Sequence, residues 1–126
     1  MAIIGLGSDI VEIARLEQQV ERLGEKLAQR VLTEQELEVY RDSKQPARFL
    51  AKRFAAKEAA AKALGTGIGR GVSFHHIHIT NNEWGAPLLT LTGGALARLQ
   101  QLGGQHCHIT IADERHYAVA TVVLES

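Results

Sequence analysis

Cysteine, proline and aromatic residues are scarce in this chain of 126 residues, and neither sign of charge is in excess. The single cysteine, Cys107, excludes an internal disulfide and suits a reducing compartment such as the cytoplasm. The 14 Lys and Arg residues balance 14 Asp and Glu residues, so no global field attracts nucleic acid or a membrane surface. We therefore expect neither nucleic acid nor a membrane among the partners.

Long apolar runs are also absent. The N-terminal apolar stretch, residues 1–7, is short and has no basic leader, so we expect neither a membrane span nor a signal peptide there. Hydrophobic residues make up 45% of the chain and charged residues 22%. These values are typical of soluble globular proteins and exclude collagen-like, disordered and disulfide-scaffold classes. We expect a single cytoplasmic domain over residues 1–126.

The spacing of hydrophobic residues along the chain predicts an α+β fold with a mainly antiparallel sheet. The predicted strands that follow the helices group into hairpins, which favours antiparallel pairing. Gly24 is a point at which the first helix can divide into two. A capping-box pattern from Thr33 to Glu36 and a proline at position 46 indicate two helix starts. In order, we predict a strand over residues 2–10, helices over 13–27, 33–42 and 46–64, strands over 72–80 and 88–92, a helix over 95–102, and strands over 106–112 and 117–124.

Two carboxylates are candidates for chemistry. Asp9 comes at the end of the first predicted strand, where a side chain can project into a cleft, although Asp is also a favoured N-cap. Glu58 is the only acidic residue between Lys44 and Glu83 and lies on an alanine-rich face of the long helix. Such a carboxylate can serve as a metal ligand or a base. The alternative is an ordinary surface pair with Lys62, one turn later.

A glycine-rich loop, residues 65–71, follows Lys62 and contains Arg70. Free backbone N–H groups in such a loop, beside two basic side chains, predict an anion site. A plain helix-to-strand connector is the alternative. The loop has neither the Gly-Lys-Ser/Thr of a Walker A motif nor the dinucleotide fingerprint.

The histidines suggest a second metal hypothesis. His76 and His78 would share one face of a predicted strand, and His106 and His108 alternate in the same way on another. No zinc-type spacing accompanies them, so histidines on an exposed sheet face are the simpler interpretation. Cys107 alternates with isoleucines and is expected to face the core instead of acting as a nucleophile.

Basic residues cluster on one side of the first helix. If this helix continues past Gly24, four of them fall on one stripe at about 100° per residue: Arg15, Arg22, Lys26 and Arg30. We call Arg15, Arg22 and Lys26 the basic ridge. It predicts an acidic partner docked along the helix, and a solvated face with i,i+4 charge pairs is the alternative.

Two segments together resemble the holo-acyl-carrier-protein synthases, the short bacterial branch of the 4′-phosphopantetheinyl transferases. Residues 5–13, GLGSDIVEI, resemble the family's N-terminal Gly-x-Asp-(Ile/Val) motif. Residues 49–63, FLAKRFAAKEAAAKA, are similar to its (R/F)-F-x-x-K-E-A-x-x-K signature, which residues 65–69 continue. The resemblance covers essentially the whole chain. One departure is Asp113, where many relatives carry histidine.

The resemblance implies Mg²⁺-dependent transfer of 4′-phosphopantetheine from coenzyme A to a serine of an apo acyl carrier protein, in support of fatty acid biosynthesis. The by-product is adenosine 3′,5′-bisphosphate. The family's metal ligands match Asp9 and Glu58, and Lys62 would contact the phosphates. The general base would be Glu58 or a metal-bound water.

The resemblance also implies a larger assembly and further contacts. Arg15 and Arg22 would belong to the carrier-protein docking surface, and relatives assemble as homotrimers with active sites between subunits. Weaker candidates for contacts with coenzyme A are Arg53, Gly65, Gly67 and His108.

The residues alone support an anion-binding α+β domain with a candidate metal site. They leave two other functions open: a non-catalytic module that binds acidic proteins through the first helix, and a histidine-metal protein with tight zinc uptake.

Overall fold

The computed structural model describes residues 1–126 and contains five strands and five α-helices, in the order β-α-α-α-α-β-β-α-β-β. All strand pairs are antiparallel, in a three-stranded sheet of order β1-β5-β4 and a two-stranded sheet β2-β3. The α+β prediction is confirmed. The elements are β1 (Ile3–Glu12), α1 (Ile13–Leu23), α2 (Glu25–Val31), α3 (Glu34–Asp42), α4 (Pro46–Ala63), a 3₁₀ helix (Phe74–His76), β2 (Ile77–Asn81), β3 (Pro87–Leu91), α5 (Gly93–Gln101), β4 (His106–Asp113) and β5 (Tyr117–Glu125).

The first predicted helix divides into two at Gly24, as the sequence suggested: a φ of 60° at this residue ends α1 and starts α2, so four helices precede β2. One predicted element differs from the observed one. The strand predicted over 72–80 begins only at Ile77, because residues 74–76 form a 3₁₀ turn that the Ser73 N–H closes on Nδ1 of His76 (3.1 Å). The expected alternation of His76 and His78 on one strand is therefore wrong.

The other helix boundaries follow the local signals in the sequence. The Thr33 hydroxyl accepts the backbone N–H of Glu36, whose side chain accepts the N–H of Thr33, so α3 begins with the predicted capping box. Pro46 is the first residue of α4. No helix is both long and apolar enough to cross a bilayer.

Two glycines allow α4 to lie directly on β1. A Cβ on Gly7 would lie 2.1 Å from the carbonyl oxygen of Ala59, and one on Gly5 would lie 2.2 Å from that of Ala63. Because strand side chains alternate, Asp9 is the next residue on the same face of β1. The Gly-x-Gly-x-Asp spacing therefore places the Asp9 carboxylate against the same side of α4.

The three-stranded sheet has one covered and one uncovered face. Its inner face packs on α4 through buried β5 residues such as Val122 and Leu124. On the other face, Leu6 is 66% and Ile10 is 64% exposed, beside Val119 and Val123 of β5. We call Leu6, Ile10, Val119 and Val123 the outer apolar face.

A buried ion pair joins α4 to the elements around it. Lys57 is fully buried, and its Nζ donates to Oε1 of Glu36 (2.6 Å) and to the carbonyl oxygens of Val31 (2.7 Å) and Phe74 (3.1 Å). Oε2 of Glu36 accepts the N–H of Ile79 (2.8 Å). The pair thus fixes α2, α3, the 3₁₀ helix and β2 relative to α4.

Candidate active site

Asp9 lies inside β1 and pairs with the amine of Lys62. The Asp9 side chain is 17% exposed, and its Oδ1 accepts from Nζ of Lys62 at 2.8 Å. The same amine donates to the carbonyl oxygen of Ser8 (3.2 Å). The alternative that Asp9 caps the next helix is wrong, because β1 continues to Glu12, which is the N-cap residue of α1.

Glu58 lines the same cavity as Asp9, a space of about 210 Å³ between β1, α1 and α4. Burial and the negative charge of Asp9 raise the pKa of Glu58, against a smaller opposing effect of Lys62. No ion pair forms between Glu58 and Lys62, since the amine turns to Asp9. The structure thus brings together Asp9, Glu58 and Lys62, which the sequence singled out separately.

The donor set fits a hard divalent cation such as Mg²⁺. Two carboxylates face one cavity, and the negative charge of one opposes ionisation of the other, which a bound cation would relieve. No group of three or more His, Cys, Asp or Glu side chains is arranged to hold a metal, and the histidines form no such cluster. Asp9 and Glu58 would therefore leave most coordination positions to water or to substrate oxygens, as Mg²⁺ sites do.

A second, largely apolar cavity of about 340 Å³ adjoins the first, with which it shares Gln19, Phe54 and Glu58. Arg30 lines this second cavity and does not continue the stripe of basic residues predicted on the first helix. The reason is that the helix breaks at Gly24 and α2 begins after it. Sequence reasoning missed the wall of this cavity; the i,i+4 spacing of Leu27 and Val31, two of its three α2 residues, was the available signal. Its other residues are Leu27, Val31, Ile68 and Phe74.

The basic ridge is only partly continuous. Arg15 and Arg22 line one shallow surface cavity on α1, and Arg15 also borders the cavity of Asp9. Lys26 is exposed but belongs to α2, so the expected single stripe through Gly24 is wrong. Two cations of the ridge therefore lie on one helix, and one of them, Arg15, borders the cavity of the two carboxylates.

Arg53 lies on another side of α4, in a separate cavity of about 300 Å³. The residue is 6% exposed, its Nη2 donates to Oδ1 of Asn81 (3.0 Å), and its guanidinium lies 4.7 Å from the centre of the Phe49 ring. Burial lowers the pKa of Arg53, with a smaller opposing effect of the negative charge on Glu36. Its Nε has no hydrogen-bond partner. Within one chain, Arg53 does not line the cavity of Asp9 and Glu58.

The glycine-rich loop ends α4, and the amides at its start are already used within the chain. The N–H of Gly65 donates to the carbonyl of Lys62 (2.9 Å) and that of Gly67 to the carbonyl of Ala61 (3.1 Å). Both glycines have positive φ, 79° and 63°, which explains the residue type. A Cβ on Gly67 would meet no atom within 4 Å, so this side of the loop faces open space.

His108 lies on the face of the sheet opposite Asp9. It stands beside Val123 of the outer apolar face, whereas Asp9 pairs with the buried Ala120. Nε2 of His108 contacts Oε1 of Glu125 at 3.2 Å, and the imidazole is 59% exposed. A single chain does not bring His108 to the paired carboxylates.

Asp113, the departure from the family pattern, holds the β4–β5 turn against α4. Its Oδ2 accepts from Nη1 of Arg48 (2.9 Å), and its Oδ1 lies 3.7 Å from Nζ of Lys52. Nη1 of Arg48 also donates to the carbonyl of Glu114 (2.8 Å). In this chain Asp113 therefore connects the β4–β5 turn to α4 through ion pairs.

Known proteins are similar to this chain over nearly its whole length. The chain matches a family model described as the 4′-phosphopantetheinyl transferase superfamily over residues 5–122. It is 74% identical over 126 residues to the holo-[acyl-carrier-protein] synthase of Shewanella frigidimarina, which covers 100% of both chains.

Solved structures of the same kind are similar over nearly the whole chain. The holo-[acyl-carrier-protein] synthase from Neisseria meningitidis matches with a TM-score of 0.92 and 38% identity, over 99% of this chain and 100% of that chain. The Helicobacter pylori synthase in complex with coenzyme A matches with a TM-score of 0.83 and 35% identity, over 95% and 99%. The chain therefore belongs to the 4′-phosphopantetheinyl transferase superfamily and, within it, to the holo-[acyl-carrier-protein] synthases.

Proposed function

We propose that this protein transfers the 4′-phosphopantetheine group of coenzyme A to a serine hydroxyl of an apo acyl carrier protein, in support of fatty acid biosynthesis. The observation that carries the proposal is the cavity that Asp9 and Glu58 both line, with Lys62 paired to Asp9, in a chain of this family. The Helicobacter pylori relative was solved with coenzyme A, which supports the donor. Family membership favours this enzyme over a non-catalytic module that binds acidic proteins.

The reaction exchanges one phosphorus–oxygen bond for another. The serine oxygen bonds to the phosphorus that carries pantetheine, and the phosphoanhydride bond to the nucleotide breaks. The serine proton passes to a base, and adenosine 3′,5′-bisphosphate leaves. We assign Glu58 as this base, directly or through a water molecule. The amine of Lys62 is half-exposed and pairs with Asp9 in this structure. When the substrate binds, this amine would turn from Asp9 to a phosphate oxygen.

We propose that Asp9 and Glu58 hold a Mg²⁺ ion. Both side chains supply carboxylate oxygens to one cavity, and too few other ligands are present to close the coordination shell. When bound, the ion offsets the negative charge that develops as the phosphoanhydride breaks.

The carrier protein would dock on the basic ridge. Arg15 and Arg22 share one surface cavity, and Arg15 also borders the carboxylate cavity. An acidic helix on this side would therefore bring its serine close to Glu58, with Lys26 as a further contact across the Gly24 break.

We further propose that the protein forms a homotrimer through the outer apolar face and acts in the cytoplasm. Leu6 and Ile10 expose about two-thirds of their surface on the uncovered face of the sheet, which favours burial against another copy. Assembly would also explain why Arg53 and His108 lie away from Asp9, since both would serve the coenzyme A site of a neighbouring subunit. Gly65 and Gly67 would let the loop approach that ligand closely.

The metal and catalytic assignments are tested by Asp9→Asn and Glu58→Gln, which keep shape and remove charge. Each variant is incubated with apo carrier protein, coenzyme A and Mg²⁺, and the mass gain of the carrier protein is followed by mass spectrometry. The rate of transfer should be at least about 100-fold lower in either variant than in the parent. Mg²⁺ should raise the melting temperature of the parent and not of Asp9→Asn. Glu17→Gln, an exposed carboxylate outside the cavity, should behave like the parent. Near-normal transfer in either cavity variant would remove that residue from the site.

The assembly is tested by sedimentation. The parent should sediment with the mass of three chains, and Ile10→Lys should dissociate it, because the lysine would place a charge in the buried interface. Val39→Lys, at a residue that is 54% exposed on α3, is the matched control and should remain trimeric. A monomeric parent, or an Ile10→Lys variant with unchanged mass, would contradict the proposed interface.

A further inference from the structure

One side-chain amide lies where three cavities of the structure meet. Gln19, on α1, lines the cavity of Asp9 and Glu58, the largely apolar cavity beside it and the shallow cavity of Arg15 and Arg22. No other residue lines all three. Gln19 is partly buried, and its amide has no hydrogen-bond partner within the chain. The Nε2 donor and the Oε1 acceptor are therefore both available to a bound molecule.

The position of Gln19 on α1 connects the basic ridge to the carboxylates. Arg15, Gln19 and Arg22 follow one another at spacings of four and three residues, which places them on the same side of the helix. The two arginines share one surface cavity with Gln19, which also lines the carboxylate cavity. A chain segment that binds along the arginines and enters the carboxylate cavity would therefore pass over Gln19.

The chemistry of the acceptor brings its main chain close to this point. The hydroxyl oxygen of a serine is only two bonds from its α-carbon. It cannot reach a phosphorus atom beside Asp9 and Glu58 unless the carrier backbone comes to the mouth of their cavity. The N–H and C=O groups beside that serine then lose water and need new partners. Gln19 is the only uncharged polar side chain that lines the carboxylate cavity.

We infer that the amide of Gln19 hydrogen-bonds the main chain of the carrier protein beside the acceptor serine. The inference rests on the proposed function, which makes that serine the acceptor. Gln19 would hold the serine toward the phosphorus, whereas the arginines of the ridge attract the acidic surface of the partner. A hydrogen bond between uncharged groups is little affected by screening, but the attraction between exposed charges falls as salt rises.

Steady-state kinetics of Gln19→Met test the inference, because methionine keeps the length of the side chain and removes its donor and its acceptor. The kcat/KM for apo carrier protein should fall about tenfold, since a desolvated main-chain group would be left without a partner. The KM for coenzyme A and the melting temperature should stay those of the parent. The loss should be equal at low and high salt, unlike the loss caused by reversing the charge of Arg15 and Arg22.

Two variants separate this contact from a general effect of removing an amide. Gln100→Met changes an exposed glutamine of α5 that borders none of the three cavities, and it should have the kinetics of the parent. Gln18→Met changes the neighbour that lines only the cavity of the arginines, and it should lose less than Gln19→Met.

Four results would overturn the inference. One is parental kinetics in Gln19→Met, and another is an equal loss in Gln18→Met, which would place the contact on the cavity of the arginines alone. A loss confined to the KM for coenzyme A would mean that Gln19 contacts the donor. A loss that disappears at high salt would mean that Gln19 acts through charge attraction and not through a hydrogen bond.

Binding of apo carrier protein without coenzyme A, measured by titration calorimetry, distinguishes this inference from the proposed function. A parent that binds the carrier protein without transfer, with binding about tenfold weaker in Gln19→Met, would support the contact and refute the transferase. Normal transfer, with equal binding by the parent and by Gln19→Met, would refute the contact alone. A parent that neither binds the carrier protein nor modifies it would refute both.

Discussion

Removal of Lys57 should destabilise the protein more than the loss of any surface charge. In Lys57→Met, the carboxylate of Glu36, which is 2% exposed, would lose the cation that is hydrogen-bonded to it, and the carbonyls of Val31 and Phe74 would lose a donor. Breaking one partner of a buried pair costs about 3–5 kcal/mol. For a domain of this size, that corresponds to a fall in melting temperature of roughly 10–20 °C.

The assay is thermal and urea denaturation followed by circular dichroism, with a double variant as the internal test. Lys57→Met with Glu36→Met removes both charges, so the double variant should be more stable than Lys57→Met alone. Arg41→Met is the surface control. Arg41 pairs with Glu25, but the two side chains are 51% and 39% exposed, so its loss should cost less than about 1 kcal/mol.

Two results would refute this reasoning. A free energy of unfolding for Lys57→Met within about 1 kcal/mol of the parent would show that loss of the buried cation leaves Glu36 without a penalty. A double variant less stable than Lys57→Met would show that Glu36 stabilises the fold chiefly through its bonds to backbone N–H groups, independently of the lysine.

Three further predictions concern the packing of α4, the burial of the cysteine and the docking surface. Gly7→Ala, which would place a Cβ 2.1 Å from a carbonyl of α4, should lose about 1–3 kcal/mol or more in urea denaturation; an unchanged midpoint would show that α4 can shift freely. Burial raises the pKa of the Cys107 thiol, so at about pH 8 its reaction with a disulfide reagent should be at least about tenfold slower in the folded protein than in urea. Equal rates would place the thiol on the surface. The double variant Arg15→Glu/Arg22→Glu should raise the KM for carrier protein by roughly an order of magnitude at low salt, with less effect as salt rises and none on the KM for coenzyme A. Unchanged carrier kinetics at low salt would leave these arginines as a solvated face.

Local sequence signals predicted most of the helix boundaries. The capping box at Thr33, the proline at the start of α4 and the break at Gly24 all depend on residues within one turn of each other. Such interactions are made within a short segment and can therefore be read from the sequence. The resemblance to the family likewise identified Asp9 and Glu58 as a pair, although nothing in the spacing alone could join a strand to a distant helix.

Only the tertiary structure decided which side chains meet. Gly5 and Gly7 bring β1 against α4, and this contact places Asp9 in the cavity of Glu58. It also determines that Lys62 pairs with Asp9 and not with its helical neighbour Glu58.

The same dependence on packing explains what the sequence did not predict. The 3₁₀ turn at Phe74 replaces a predicted strand where Nζ of Lys57, a residue distant in sequence, binds its carbonyl. Arg53 and His108 lie on other faces of the fold because α4 is covered on several sides and the strands of the sheet alternate. Sequence periodicity states which residues share a face of one element, whereas the contacts between elements depend on long-range packing that no single segment contains.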